Sequence, residues 1–168
     1  MSRDLKDLVP KVREQALQLQ KLALDKLGLR IIFTQTRRTE KEQQALYSQG
    51  RNTLEVTNEM RKFANMPLIT DAENRMIVTK AKSVADSMHG YGLAFDIAVV
   101  DQTGKKIGWN HSDWNGDNIN DWDQVGRLAD EIGLEWGGNW SGMCDPPHYQ
   151  NRMGLTLAQL KAGVPIPS

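Results

Sequence analysis

The chain has little of what holds small proteins together covalently. One cysteine, Cys144, occurs in 168 residues, which excludes a disulfide framework and any zinc site built mainly on thiolates. Histidines number three, His89, His111 and His148, so a metal site would have to combine them with Asp or Glu. No apolar run approaches the ~20 residues that span a bilayer. The opening Met1-Ser2-Arg3-Asp4-Leu5-Lys6-Asp7 has no signal-peptide core. The expectation is a protein finished in the cytoplasm, without stable membrane association. Net charge is zero, 21 basic residues against 21 acidic. With no basic excess and no recognisable reader motif, no nucleic-acid partner is expected.

What remains is an ordinary globular balance, 39% apolar and 25% charged. Its length predicts one domain, residues 1–168, able to bury a core as a monomer. The charge is uneven: residues 1–82 hold 16 basic and 10 acidic side chains, residues 83–168 hold 5 and 11. The halves either neutralise each other in the fold or set a cation-attracting half beside one suited to a carboxylate-rich substrate.

Apolar residues at Leu5, Leu8, Val12, Ala16, Leu19 and Leu22 predict a helix over 5–27, stopped by Gly28. Leu29–Gln35 reads as a strand. Thr39 with Glu42 forms a capping box that opens a helix to about Ser48. Residues 51–78 are weakly patterned and read as a long loop with short helical pieces. Leu93–Val100 alternates as a strand, and Lys105–Trp109 reads as its hairpin partner. Asp121 with Gln124 opens a helix that Gly133 stops, His148-Tyr149-Gln150 is a short strand, and Thr156 with Gln159 caps a last helix. The predicted fold class is α+β, with a small, mostly antiparallel sheet flanked by helices.

The informative stretch is Ser87-Met88-His89-Gly90-Tyr91-Gly92-Leu93-Ala94-Phe95-Asp96. On a helix His89 and Asp96 would stand about 10.5 Å apart along the axis, too far for one ion with bonds of about 2.0–2.2 Å. A turn at Gly90-Tyr91-Gly92 followed by a strand can fold both toward one point. The third candidate ligand is His148, in Asp145-Pro146-Pro147-His148, where two prolines stiffen an extended segment. Two His and one Asp leave a fourth tetrahedral position for water, as catalytic zinc sites do, and Asp145 stands near enough in sequence to act as general base. The plainer alternatives are hydrogen-bonded histidines and a paired core carboxylate.

Ser87-x-His89-x-x-Gly92-x-Ala94-x-Asp96, followed about fifty residues later by Asp145-x-x-His148, resembles the zinc D-Ala-D-Ala carboxypeptidase and L-alanyl-D-glutamate endopeptidase family, which shares a fold with hedgehog domains. Further blocks in the same order carry the likeness: Thr36–Tyr47 with Gly50-Arg51, Val78–Lys82, and Gly133–Trp140. The resemblance is nearest to bacteriophage L-alanyl-D-glutamate endolysins. It implies a hedgehog-like fold, Zn2+ held by His89, Asp96 and His148, Asp145 as base, and Arg38, which Thr39 follows, in preference to Arg37 as the arginine facing the reacting carbonyl. It also implies the peptidoglycan stem peptide as substrate and a holin-type partner that opens the host membrane, so that a protein made in the host cytoplasm acts in the periplasm. A D,D-carboxypeptidase and a non-catalytic zinc-binding recognition domain are the alternatives.

Ser87 either binds substrate or caps a turn. Trp122 and Trp136 are expected in the core, with Trp140 nearer the site. His111 reads as a loop residue and Cys144 as a small filler. Asp113-x-Asn115-x-Asp117-x-x-x-Asp121 resembles half of a calcium loop, although an EF-hand would have Gly at position 118 and Glu at 124. Ca2+ there competes with the reading of a solvated acidic loop.

Overall fold

The computed structural model describes residues 1–108 and 112–167. Helix α1 (Pro10–Leu27) buries Val12, Ala16, Leu19 and Ala23 and ends at Gly28, whose φ of 67° makes the left-handed stop. The helix expected from Leu5 is split. Leu5–Asp7 forms a 3-10 turn and Pro10 opens the helix proper, because proline fits the first turn, where its missing N–H costs nothing.

Strands β1 (Arg30–Gln35), β2 (Ala94–Val100), β3 (Glu135–Trp136) and β4 (His148–Gln150) form one antiparallel sheet in the order β1-β2-β4-β3. The α+β expectation therefore holds. Phe95, Ile97 and Val99 pack into the main core with α1 residues and with Trp122, Val125 and Leu128 of α5 (Asp121–Glu131). Phe95 lies opposite Tyr149, stacked at 5.7 Å, and Phe33 meets its edge at 5.7 Å. Strand alternation leaves Asp96 and His148 for the other face. Trp122 and Trp136 are core residues, as expected. Gly126 has no room for a side chain, since a Cβ would stand 2.3 Å from the Trp136 ring.

Helix α2 (Glu40–Ser48) starts at the Thr39/Glu42 capping box. The stretch read as a long loop is more helical than expected. It holds the ten-residue α3 (Leu54–Phe63), capped by Thr53, and α4 (Asp71–Asn74), capped by Thr70 and Glu73. These helices gather with α2 around a small second core of Ala45, Ala64 and Met66. The signal lay in the caps, because the apolar face is sparse. Helix α5 is capped by Asn120, one residue before the expected position, and α6 (Leu157–Lys161) by Thr156 and Gln159.

The hairpin expected after β2 reduces to one bridge, Val100 to Ile107. The Asp101 carboxylate instead closes the turn by accepting the N–H groups of Lys105 and Lys106. Trp109 and His111 lie outside the described residues. Among those described, no helix is long and apolar enough to cross a membrane.

Candidate active site

Asp96 and His148 lie directly opposite each other on β2 and β4, so the ladder register alone puts them on one face. His89 arrives from the 3-10 turn Met88–Tyr91, which Gly92 closes with a φ of 70°. A Cβ on Gly92 would stand 2.6 Å from the Asp7 carbonyl oxygen, so this turn needs glycine for both conformation and space.

His89 Nε2 and His148 Nδ1 are 3.2 Å apart, and Asp96 Oδ1 is 3.2 and 3.3 Å from them. The outer ring nitrogens settle what the inner ones carry. His89 Nδ1 donates to the Thr36 carbonyl at 2.6 Å, since that oxygen can only accept. Gln150 Nε2 donates to the Glu135 carboxylate at 2.9 Å, which turns Gln150 Oε1 toward His148 Nε2, also at 2.9 Å. In the neutral rings both inner nitrogens are then bare lone pairs. Asp96 Oδ1 is buried without a hydrogen-bond partner. With both rings neutral, three lone pairs converge on one point, a donor set suited to a cation. Their spacing fits one, because tetrahedral bonds of about 2.0–2.1 Å give ligand–ligand edges of about 3.3–3.4 Å. Among the described residues this trio is the one cluster able to hold a metal ion.

The electrostatics agree. Burial works against charge on Asp96, but the electrostatic pull of His89 and His148 beside it outweighs that and holds the carboxyl well below its usual range. Burial lowers His89, against the pull of Asp96. Burial would also lower His148, yet the adjacent Asp96 carboxylate leaves it raised.

The trio sits at a cleft of about 680 Å³ lined also by Arg38, Ser87, Trp140 and Asp145. The Asp145 carboxylate makes no hydrogen bond among the described residues, and burial followed by the nearby negative charge of Asp96 raises its pKa. Gly137 makes its position possible: a Cβ there would meet the Asp145 carbonyl oxygen at 2.5 Å and His148 Cβ at 3.1 Å. Arg38 donates to Gln43 Oε1 at 2.9 Å and Gln35 Oε1 at 2.5 Å, with Nη2 at 3.9 Å from Asp96 Oδ2. Burial lowers its pKa against the charges of Asp96, Asp145 and Glu42, but an arginine remains protonated. A register shift in β1 between Phe33 and Gln35 brings Gln35 opposite Asp96. Trp140 packs against His148 with ring centroids 5.0 Å apart and donates to Glu135.

Sequence reasoning missed Gln150, Glu135, Thr36, Gln35, Gln43 and Gly137. Gln150 was within reach, since strand period puts it on the same face as His148. The calcium expectation is corrected. Asp113 accepts the N–H groups of Gly116, Asp117 and Asn118. Asp117 accepts those of Ile119 and the Gln124 side chain, Asn115 binds Asp117 and Gln124, and Asp121 accepts from Trp114 N–H. These carboxylates close their own loop rather than converge on an ion. Cys144 is exposed rather than a filler, its thiol near the Gly138 carbonyl.

A His–Asp–His cluster at a cleft, beside an arginine and a carboxylate that makes no hydrogen bond among the described residues, is the arrangement of a metal-dependent hydrolase. A family model described as D-alanyl-D-alanine carboxypeptidase matches residues 80–151. The chain is 35% identical over 144 residues to the peptidoglycan L-alanyl-D-glutamate endopeptidase CwlK of Bacillus subtilis (strain 168), covering 86% of this chain and 73% of that protein. The chain belongs to the M15 metallopeptidase family. Among solved structures, the Serratia marcescens L-Ala D-Glu endopeptidase ChiX is 18% identical, with 94% of this chain and 86% of that one covered and a TM-score of 0.45. A mutant of the vancomycin-resistance D,D-pentapeptidase VanY in complex with Zn(II) is 15% identical, with 92% and 78% covered and a TM-score of 0.48. At these scores the two resemble the chain only loosely.

Proposed function

We propose that this metallopeptidase is a zinc-dependent endopeptidase that cuts the L-alanyl–D-glutamate bond of peptidoglycan stem peptides. The observation that carries the reading is the 35% identity to the CwlK endopeptidase over most of the chain. In this reading His89 Nε2, Asp96 Oδ1 and His148 Nδ1 hold the ion. When bound, zinc polarises a carbonyl and lowers the pKa of a coordinated water toward ~7. Asp145, which lines the cleft beside His148, takes the water proton on its carboxylate and returns it to the leaving amine of D-Glu. Arg38 retains one uncommitted N–H on each terminal nitrogen and donates to the L-Ala carbonyl oxygen as negative charge builds there, a contribution of roughly 3–4 kcal/mol per well-placed donor in other enzymes. Ser87 and Trp140 line the substrate's path.

The test is mass spectrometry of peptidoglycan digests with and without a chelator. Products ending in L-Ala and beginning with D-Glu are expected, and their absence with the zinc-loaded protein overturns the assignment. The family model's description favours a second reading, D,D-carboxypeptidase, which would instead release terminal D-Ala. The biological role we propose is a phage endolysin that reaches the wall once a holin-type partner opens the membrane. Expression in a bacterial host should then cause lysis only with such a partner, and lysis without one refutes that dependence.

A further inference from the structure

One wall of the cleft is built from main chain that the fold leaves unpaired. Val78, Thr79, Lys80 and Ala81 line the cavity, and Trp140, Ser141, Gly142 and Met143 form part of its rim. Lys80 Nζ reaches across to within 3.5 Å of where a Cβ on Gly142 would stand. Along residues 78–81 burial alternates: Val78 and Lys80 are exposed, Thr79 and Ala81 half-buried. That is the period of an extended chain. The peptide groups alternate as well. The Thr79 carbonyl accepts from Arg51 Nη2 at 2.9 Å, and Arg51 is itself tied to the Tyr47 carbonyl at 2.8 Å. The Ala81 carbonyl accepts from Gln43 Nε2 at 2.6 Å, and Ala81 N–H donates to Thr79 Oγ1 at 3.2 Å. The carbonyls of residues 79 and 81 thus turn toward α2 and the turn after it, while Ala81 N–H closes on the hydroxyl of Thr79. The N–H and C=O groups of Val78 and Lys80 find no partner among the described residues, nor does Thr79 N–H, and the chain bends at Lys82. In an extended chain those of Val78 and Lys80 face the opposite way, away from α2.

We infer that Val78–Ala81 is a docking strand on which the peptide substrate lays its own main chain, pairing chiefly with Lys80 N–H and C=O, so that the scissile bond is drawn over the His89–Asp96–His148 cluster. This inference rests on the peptidase reading above and adds where and how the peptide lies. Adding a strand to an unpaired edge is a general mode of peptide recognition, in which main-chain bonds give affinity and side-chain pockets give choice. The occupant is an acidic peptide. The wall carries the Lys80 ammonium, which has no ion pair among the described residues, while Arg152, also lining the cleft, is engaged by Glu135. Arg51 and Gln43 hold the strand rigid from behind, so little ordering cost falls on binding.

The experiment compares Lys80→Pro with Lys80→Ala on a synthetic stem peptide. Proline removes the N–H at 80 and tolerates an extended chain; alanine removes the charge and keeps the N–H. Lys80→Pro is expected to raise KM about three- to tenfold, the worth of one net hydrogen bond, with kcat, zinc affinity by chelator competition and melting temperature held close to the parent. Lys80→Ala should raise KM by less. An unchanged KM in a folded Lys80→Pro protein overturns the proposal, as does an equal rise in Lys80→Ala, which would assign the effect to the side chain. A second measurement uses the unaltered enzyme with peptides in which single amides flanking the cleaved bond are replaced by esters. One sensitive amide supports main-chain docking, and a series without any overturns it even if Lys80→Pro does not fold. Should the parent enzyme cut a different bond of the stem peptide, the L-alanyl–D-glutamate assignment falls, and the same comparison on the bond actually cut still decides the docking strand.

Discussion

Gln150→Leu isolates the hydrogen bond that turns the His148 ring. Gln150 is 3% exposed and His148 6%, so neither group recovers water when its partner goes. The substitution removes the 2.9 Å acceptor of His148 Nε2–H and the donor that Gln150 offers Glu135 at 2.9 Å. An orphaned buried donor costs about 1–3 kcal/mol. The metal-bound state needs the proton on Nε2 and the lone pair on Nδ1, so that cost falls on binding and corresponds to a loss in affinity of roughly 5- to 150-fold. Outer partners of metal ligands in other proteins give about 10- to 100-fold, the same range reached independently. Glu135 keeps its two bonds from Arg152 and its bond from Trp140, so the surrounding fold should stand. The assay is zinc competition against a chromogenic chelator at neutral pH, with the melting temperature of the metal-free protein as control. Zinc affinity within twofold of the parent, in a folded Gln150→Leu protein, refutes the argument that Gln150 sets the tautomer of His148.

Asp145→Asn should cut turnover by about 10²–10⁴-fold with zinc retained. It should also raise the melting temperature of the metal-free protein at neutral pH. Burial raises the folded pKa of Asp145, so its contribution to stability is full below the ordinary carboxylate pKa and is lost as pH rises through the raised value. A parent and variant whose stabilities run parallel across that window would contradict this. Gly126→Ala gains about 1 kcal/mol of helix propensity, yet should be destabilised by about 1–3 kcal/mol in denaturant unfolding, because its Cβ would lie 2.3 Å from the Trp136 ring. A more stable variant would show that α5 can shift freely. Millimolar calcium should leave the melting temperature unchanged, whereas Asp113→Ala should lower it by removing the acceptor of three backbone N–H groups; a calcium-dependent rise would reopen the loop as an ion site.

Much of the fold is written in local sequence signals. The capping boxes at Thr39 and Thr156, the stop at Gly28 and the alternation of β2 are local signals, and each is found where the sequence put it, to within a residue. Local signals also misled where two were superposed. Apolar spacing ran through Pro10 without marking the break, and Lys105–Trp109 looked like a strand although Asp101 closes the turn with its side chain. The acidic residues at 113–121 had a ligand-like spacing, and nothing in spacing tells a carboxylate that binds its own backbone from one that binds a cation.

By itself the sequence determined which groups the site can contain. With three histidines and one cysteine, the donors for a soft metal were nearly enumerated by composition, and the glycines around His89 showed where the chain must turn sharply. Only the tertiary structure decided how those groups meet. The β2–β4 register sets Asp96 against His148, and the carbonyls of Thr36 and Gln150 choose which nitrogen of each ring faces inward. The slip in β1 delivers Gln35 to hold Arg38. The Gln150–His148 and Gln35–Arg38 contacts join near neighbours, but where these pairs stand depends on pairings between segments tens of residues apart, settled by ladder register and packing, and no local pattern encodes those.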